Sequence, residues 1–296
     1  MNLPKITVIT PSFNQGQFLE QTIKSVLAQD YPNLEYIIMD GGSSDNSVEI
    51  IKKYEQYLAY WQSQPDGGQS AAINAGFQRA TGEILCWLNS DDQFSPDTLK
   101  TVGQYFCDHP ECEWVSGGME FRYLNEGSTY VRQAHENRNW SMVNFWAYGY
   151  PEGAFCPQPS TFWRRKLWDR TGGHVREDKP NSMDYDLWLR FCDSAELKVF
   201  PQVFSIAAMH GACKSVMNNY QQRVETIQSA YEFAARHGIN LRQRLLLAYE
   251  RRQWTQLLYC IRTFAPRGLL YRLFNLLRGP FLLWNIKGNI KMWMTF

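Results

Sequence analysis

The first hundred residues alternate short apolar runs with amphipathic stretches. Ile6–Thr10 is β-branched throughout and stops at Pro11, which predicts a buried strand. Phe18, Ile23, Val26 and Leu27 then recur at helical spacing. Leu34–Met39 predicts a second strand ending at Asp40, followed by a turn over Gly41–Ser44 and a helix from Ser47. Ala59–Ser63, a helix from Ser70 to Ala80, and a strand over Ile84–Leu88 continue the alternation. Ser95 before Pro96 reads as an N-cap with proline at the first helical position. Repeated βα units predict an α/β fold: a Rossmann-like, doubly wound, mostly parallel sheet flanked by helices.

The second half is less regular. Asn125–Gly127 predicts a hairpin turn, and the aromatic, polar stretch through Trp140, Phe145, Trp146 and Tyr148 reads as a long excursion shaping a pocket. Ser160–Trp163 predicts a strand, Met183–Cys192 a short helix and Val199–His210 another strand. Tyr220, Val224, Ile227, Tyr231 and Ala234 fall on one stripe, which predicts an amphipathic helix from Asn218 to Arg236.

Composition changes this picture mainly through charge. A hydrophobic content of 44% over 296 residues suits a large core and excludes a disordered chain. The net charge of +1 argues against a polyanion partner for the chain as a whole, but it is unevenly spread. Residues 236–296 hold eleven Lys/Arg against one acid, Glu250, so that segment carries +10 and residues 1–235 carry −9. Met1–Thr10 has neither the basic start nor the long apolar run of a secretory signal, and no stretch is apolar enough to span a bilayer. The seven cysteines are scattered without a C-x-x-C pair. A reduced, cytoplasmic protein with cysteines as small core residues is the expectation.

In parallel α/β sheets, ligands gather at the carboxyl ends of the strands. Here those ends carry Ser12, Phe13, Asn14, Asp40, Asp66, Asp91 and Asp92. Adjacent acids at a buried strand tip repel unless a cation or solvent lies against them. A hard divalent ion, Mg²⁺ or Mn²⁺, suits such oxygen donors; capping of the next helix is the alternative.

Four segments, Ile9–Asn14, Asp40–Asp45, Asp66–Gly76 and Asn89–Asp92, occur in an order and spacing that resembles family 2 glycosyltransferases. Gln158–Arg165, Gly172-Gly173 and Met183–Arg190 are similar to that family as well, so the resemblance covers about residues 5–215. It implies a GT-A fold, a nucleotide-sugar donor such as a UDP-sugar, a divalent cation, and inversion at the anomeric carbon. It also implies a division into a nucleotide-sugar-binding half (1–120), an acceptor-binding half (121–235) and a helical tail outside the family pattern (236–296).

Roles follow by position. Pro11, Phe13 and Asn14 match the loop that holds the nucleoside, with Phe13 where an aromatic ring lies against the base. Asp40 matches the acid that contacts the base, with turn-capping before Gly41 as the alternative, and Asp66 and Asn74 match residues near the ribose and diphosphate. The family commonly reads Asp-Ser-Asp-Asp where this chain has Asn89–Asp92. The resemblance makes Asp92 the metal ligand and sets Asp91 nearer the sugar or ribose. Asp184 matches the base that takes the acceptor hydroxyl proton, with Asp186 as competitor and Arg190 as a partner for Asp186. His210 matches a histidine that completes the metal shell, though a structural histidine fits equally; Lys214 and Ser215 follow as phosphate contacts. Gln158, Ser160, Arg164 and Arg165 are expected to line the acceptor side, with solvation of a helix start as the alternative for the two arginines. Trp87, Trp163 and Trp188 read as core first and sugar platforms second.

The tail mixes arginine with Trp, Phe and Leu, which suits an interfacial helix on anionic lipid, against the alternative of helices packed on the acidic body or another subunit. The expected partners are thus a nucleotide-sugar and a saccharide or lipid-linked saccharide, with no nucleic acid, at the inner face of the cell membrane. A pyrophosphorylase or a dehydrogenase wants a glycine-rich loop after the first strand, where this chain has Pro11–Asn14. A catalytically inactive GT-A-like scaffold remains the alternative.

Overall fold

The structure, a computed structural model, describes residues 3–134, 156–211, 213 and 219–238. The chain divides into two compact units, Met1–Asn139 with Phe155–Met217, and Trp140–Ala154 with Asn218–Phe296.

The first unit is built on one curled sheet in the order β3-β2-β1-β4-β8-β6-β9-β5, with β7 pairing to β6. β1 (Ile6–Ser12), β2 (Leu34–Asp40), β3 (Tyr60–Ser63) and β4 (Ile84–Trp87) are mutually parallel, joined through α1 (Gly16–Leu27), α2 (Ser47–Tyr54) and α3 (Gln69–Arg79). β1 is central and every residue of it is buried, as an apolar β-branched run between two helical layers requires. Pro11 fits there because of register. Ile9 C=O accepts from Leu88 N–H and Ser12 C=O accepts from Gly41 N–H, so odd positions face β4 and even ones β2. The last β1–β4 pair is Ile9 with Trp87, so the N–H that proline lacks falls beyond the ladder.

The remaining strands change direction. β8 (Thr161–Arg164) runs antiparallel to β4 and to β6 (Trp114–Tyr123). β9 (Leu197–Met209) lies parallel to β6, and the short β5 (Asp92–Phe94) closes the edge antiparallel to β9. β6 turns into β7 (Ser128–Arg132) through the expected hairpin, with Gly127 at φ 65. β6 runs straight across the expected division at residue 120, and one sheet serves both sides. Under the sheet, Trp87, Trp114, Trp163 and Trp188 are fully buried with neighbouring ring centroids 5.5–6.1 Å apart, so the tryptophans are core.

Two local expectations shift. α4 spans Thr98–Asp108 and starts after Asp97, which is left-handed at φ 59. Ser95 is no cap, because the cap position falls on Asp97; the Ser95 N–H donates to Phe204 C=O of β9. The short α5 (Arg165–Arg170) and α6 (Met183–Cys192) follow β8.

The second unit's described part is α7 (Asn219–Arg236) with its end at 238. Its buried positions are Glu225, Thr226, Ser229, Ala230, Phe233 and Ala234, whereas Tyr231 is exposed. Of the predicted stripe, Ala234 is buried, Val224 half-buried and Tyr231 exposed. The 140–148 stretch, Lys214, Ser215 and the tail beyond 238 lie outside the described residues. No helix among those described is long and apolar enough to cross a membrane.

Candidate active site

The carboxyl ends of β1, β2 and β4 converge with the first turns of α3 and α6. After β1 the chain leaves Phe13 60% exposed, an unusual placement for a large aromatic ring. Gly41, just past β2, lies between this ring and Asp66. A methyl group added at Gly41 would sit 3.2 Å from an Asp66 carboxylate oxygen and 3.3 Å from the Phe13 ring. Phe13 and Asp66 therefore border one cleft, and a side chain at Gly41 would press on both. Asp66 Oδ1 accepts from Gly68 N–H (2.7 Å), which bends the chain into α3.

Asp40 and Asn14 shape the walls of that cleft. Asp40 is 1% exposed, and its carboxylate accepts from the N–H groups of Gly42 and Ser43 and the hydroxyls of Ser43 and Ser63. These donors fill a carboxylate's capacity, so the turn-capping alternative describes Asp40 and the expected base contact does not. Asn14, left-handed at φ 52, accepts from Ser44 N–H (2.9 Å) and ties the β1 loop to the β2 loop. Pro11 is buried behind them.

Past β4 the two neighbouring acids separate. Asp91 Oδ2 lies 3.2 Å from Nε2 of His210, whose ring stacks on Phe18 with centroids 4.4 Å apart. Asp91, His210 and Cys213 are the residues among those described whose ligand atoms converge, all within 4.8 Å of one another. Cys213 closes the turn after β9: its thiol donates to Ala208 C=O (3.1 Å), and burial keeps its pKa up. Asp92, by contrast, is 7% exposed and accepts from Asn89 Nδ2 (3.0 Å). Burial pushes its carboxyl well above the usual range, and the Asp91 charge adds to this against the opposing Asn89 hydrogen bond. The two acids thus differ from the expectation in their surroundings: Asp91 lies beside His210, whereas Asp92 is buried against Asn89. Asp91 and His210, a hard oxygen and an imidazole nitrogen, fit a divalent cation such as Mn²⁺; the soft sulfur of Cys213 suits such an ion less well.

Asn89, which sequence reasoning noted only as a missing acid, is the centre of the turn. It accepts from Gln69 Nε2 (2.8 Å) and donates to both Asp92 and Gln158. Gln69 was missed; its place at the start of α3, facing Asn89, has no signal in periodicity. Ser70 donates to the Met183 sulfur (2.9 Å), which brings the start of α6 alongside. Asp184 is in that first turn, partly exposed, where its Oδ1 accepts from Tyr185 N–H. Asp186 is buried and paired: Arg190 Nε at 3.0 Å, Lys179 at 3.7 Å and Arg176 at 3.8 Å.

Four residues expected at ligands are structural. Asn74 clamps the loop after α5 by pairing with Val175 N–H (2.8 Å) and C=O (3.0 Å) and with Glu177. Gln158 donates to Trp87 C=O (2.6 Å), and Ser160 is fully buried between Gly118 C=O and the Ser205 hydroxyl. Arg164 is 6% exposed; it binds the carbonyls of Phe106, His109 and Cys112 and pairs with Glu83, capping the end of α4. An open cavity of 560 Å³ instead lies beside the Asn74 clamp, lined by Asn74, His174, Val175, Arg176, Glu177 and Asp178.

A parallel α/β sheet with its polar cleft at the strand ends, continued by antiparallel strands that carry the Asp91–His210 pair, defines a GT-A fold. The chain belongs to glycosyl transferase family 2, whose sequence profile matches residues 7–171. An uncharacterized glycosyltransferase of Mycobacterium tuberculosis is 47% identical over 98 residues, 32% of this chain and 37% of that protein. TuaG of Bacillus subtilis, a glycosyltransferase named for teichuronic acid biosynthesis, is 35% identical over 102 residues, 33% of this chain and 40% of that one. The match thus spans well under half of these relatives' own length. Among solved structures, S. aureus TarS in complex with UDP-GlcNAc superposes with a TM-score of 0.57 at 16% identity, covering 93% of this chain and 92% of that one. The mannosyltransferase PcManGT from Pyrobaculum calidifontis, in complex with GDP-Man and Mn²⁺, gives 0.52 at 18% identity, covering 93% and 87%.

Proposed function

We propose that this chain transfers a sugar from a nucleotide-sugar, a UDP-sugar, to a hydroxyl of a glycan or lipid-linked saccharide, with inversion and with the help of a divalent cation. The observation that carries this reading is the Asp91–His210 pair, an oxygen and a nitrogen donor 119 positions apart in sequence yet 3.2 Å apart at the strand ends. TarS with UDP-GlcNAc and PcManGT with GDP-Man and Mn²⁺, which share the fold, lend support.

The Phe13 ring stacks on the base, with Asp66 across Gly41 toward the ribose, while Pro11, Asn14 and Asp40 hold the loops that receive it. Asp91 and His210 would hold the cation, which would supply positive charge against the departing diphosphate. Asp184 accepts the acceptor hydroxyl proton as that oxygen attacks the anomeric carbon from the face opposite the leaving group. Asp186 and Arg190 fix the helix that presents it: Arg190 also binds the carbonyls of Thr171 and His174. The acceptor side passes from Gln158, Ser160 and Arg164 to the cavity along His174–Asp178, because that loop leads directly into α6.

A panel of UDP- and GDP-sugars tests the reading. One UDP-sugar should release UDP only with Mn²⁺ or Mg²⁺ present, and cation-independent release across the panel would contradict it.

A further inference from the structure

The turn between β4 and β5 is held from two sides. Thr22 of α1 brings its hydroxyl to the carbonyls of Ser90 (2.9 Å) and Asp92 (2.7 Å), and Asp92 N–H donates to Asn89 C=O (3.1 Å). On the other side the Asn89 side chain joins three partners, and the network has a direction. Gln158 uses its own Nε2 on Trp87 C=O, which turns its Oε1 toward Asn89. Asp92 likewise presents a carboxylate oxygen to Asn89. Both neighbours therefore require a donor at position 89, while Gln69 Nε2 requires an acceptor there. An amide meets all three demands, and an ionised acid meets only the last.

We propose that Asn89 is a positioning residue, a neutral hub that sets the Asp91 carboxylate beside His210, and that an aspartate in its place would weaken this chain's cation site. The inference rests on the reading of Asp91 and His210 as cation ligands. An aspartate at position 89 would put a carboxylate at the 3.0 Å separation from Asp92 that a hydrogen bond now spans, with a second acceptor at 3.2 Å. A carboxylate there has no N–H for either oxygen, so Asp92 and Gln158 both lose the donor that ties them to the turn carrying Asp91. If position 89 were instead a vacant ligand place, an added carboxylate would bind the cation more tightly. The two readings predict opposite signs.

Mn²⁺ titration followed by electron paramagnetic resonance, with UDP present, separates them on the full chain. Asn89→Asp should weaken Mn²⁺ binding about tenfold, the range typical of lost outer-shell support. Asp92→Asn added to Asn89→Asp restores a donor–acceptor pair with the roles exchanged, while Gln158 Oε1 still lacks its donor, and should recover part of the lost affinity. Asn89→Asp binding Mn²⁺ as tightly as wild type or more so, or a double variant no better than the single one, overturns the proposal. Should Asn89→Asp fail to fold, Asn89→Ala removes the hub without adding charge. Weaker Mn²⁺ binding supports the proposal there, and unchanged affinity defeats it. Absence of Mn²⁺ binding by the wild type would fault the cation reading itself, a result distinct from any of these.

Discussion

At the β4–β5 turn, adjacent carboxylates have different surroundings and therefore different chemistry. Asp91 faces an imidazole and solvent; Asp92 faces an amide and the core. Asp91→Asn or His210→Ala should weaken Mn²⁺ binding about 10–100-fold, whereas Asp92→Asn should change it by less than about threefold; calorimetry in the presence of UDP reads the difference. Asp184→Asn should abolish sugar transfer and leave UDP affinity unaltered, and near-normal turnover would remove Asp184 as the base. The sequence made the acids of the site legible as a set, because polar residues at strand ends stand out against apolar runs. Which acid is buried was not legible. Alternation along Asn89–Asp92 cannot show that Thr22, Gln69 and Gln158 close on that turn from distant segments. The same blindness explains Gln158, Ser160 and Arg164: polar side chains in a family motif look alike whether they meet a ligand or a buried carbonyl.

Elements follow the hydrophobic pattern wherever burial is two-sided. β1, β2 and β4 were visible as predominantly apolar or β-branched runs, and α6 matches its predicted bounds. The pattern misplaced the start of α4, which the left-handed Asp97 and not Ser95 precedes, and did not mark Glu225 and Thr226 of α7 as buried. Arg164 stabilises the join between α4 and β8, not the site. Arg164→Leu should cost about 2–4 kcal/mol in urea unfolding, since buried carbonyls lose their donor, without altering UDP affinity. Glu35, on β2, offers a pH test. Burial alone would raise its pKa, but the hydroxyls of Thr7 and Thr81 and the N–H groups of Thr81 and Gly82 hold it below the ordinary carboxylate value. A carboxyl with a lowered folded-state pKa contributes stability that is present at neutral pH and fades as pH falls toward that value. The stability difference between wild type and Glu35→Gln should therefore shrink between about pH 7 and about pH 3, as followed by urea unfolding.

For the whole molecule, the near-zero net charge is a sum of two unlike parts. The acids at the strand ends belong to the −9 of residues 1–235, and the +10 of residues 236–296 lies largely outside the described residues. We propose that this basic segment meets anionic lipid. Arg272→Glu with Arg278→Glu in the full chain should lower binding to phosphatidylserine vesicles by about tenfold and leave UDP affinity unchanged, as measured by vesicle sedimentation. The central claim is the cation-assisted nucleotide site, and titration calorimetry of UDP addresses it most directly. Wild type should bind UDP strongly only with Mn²⁺ present, and Asp91→Ala should lose that dependence together with the affinity. Equal UDP binding with and without Mn²⁺, or an Asp91→Ala protein that binds as wild type does, would contradict it.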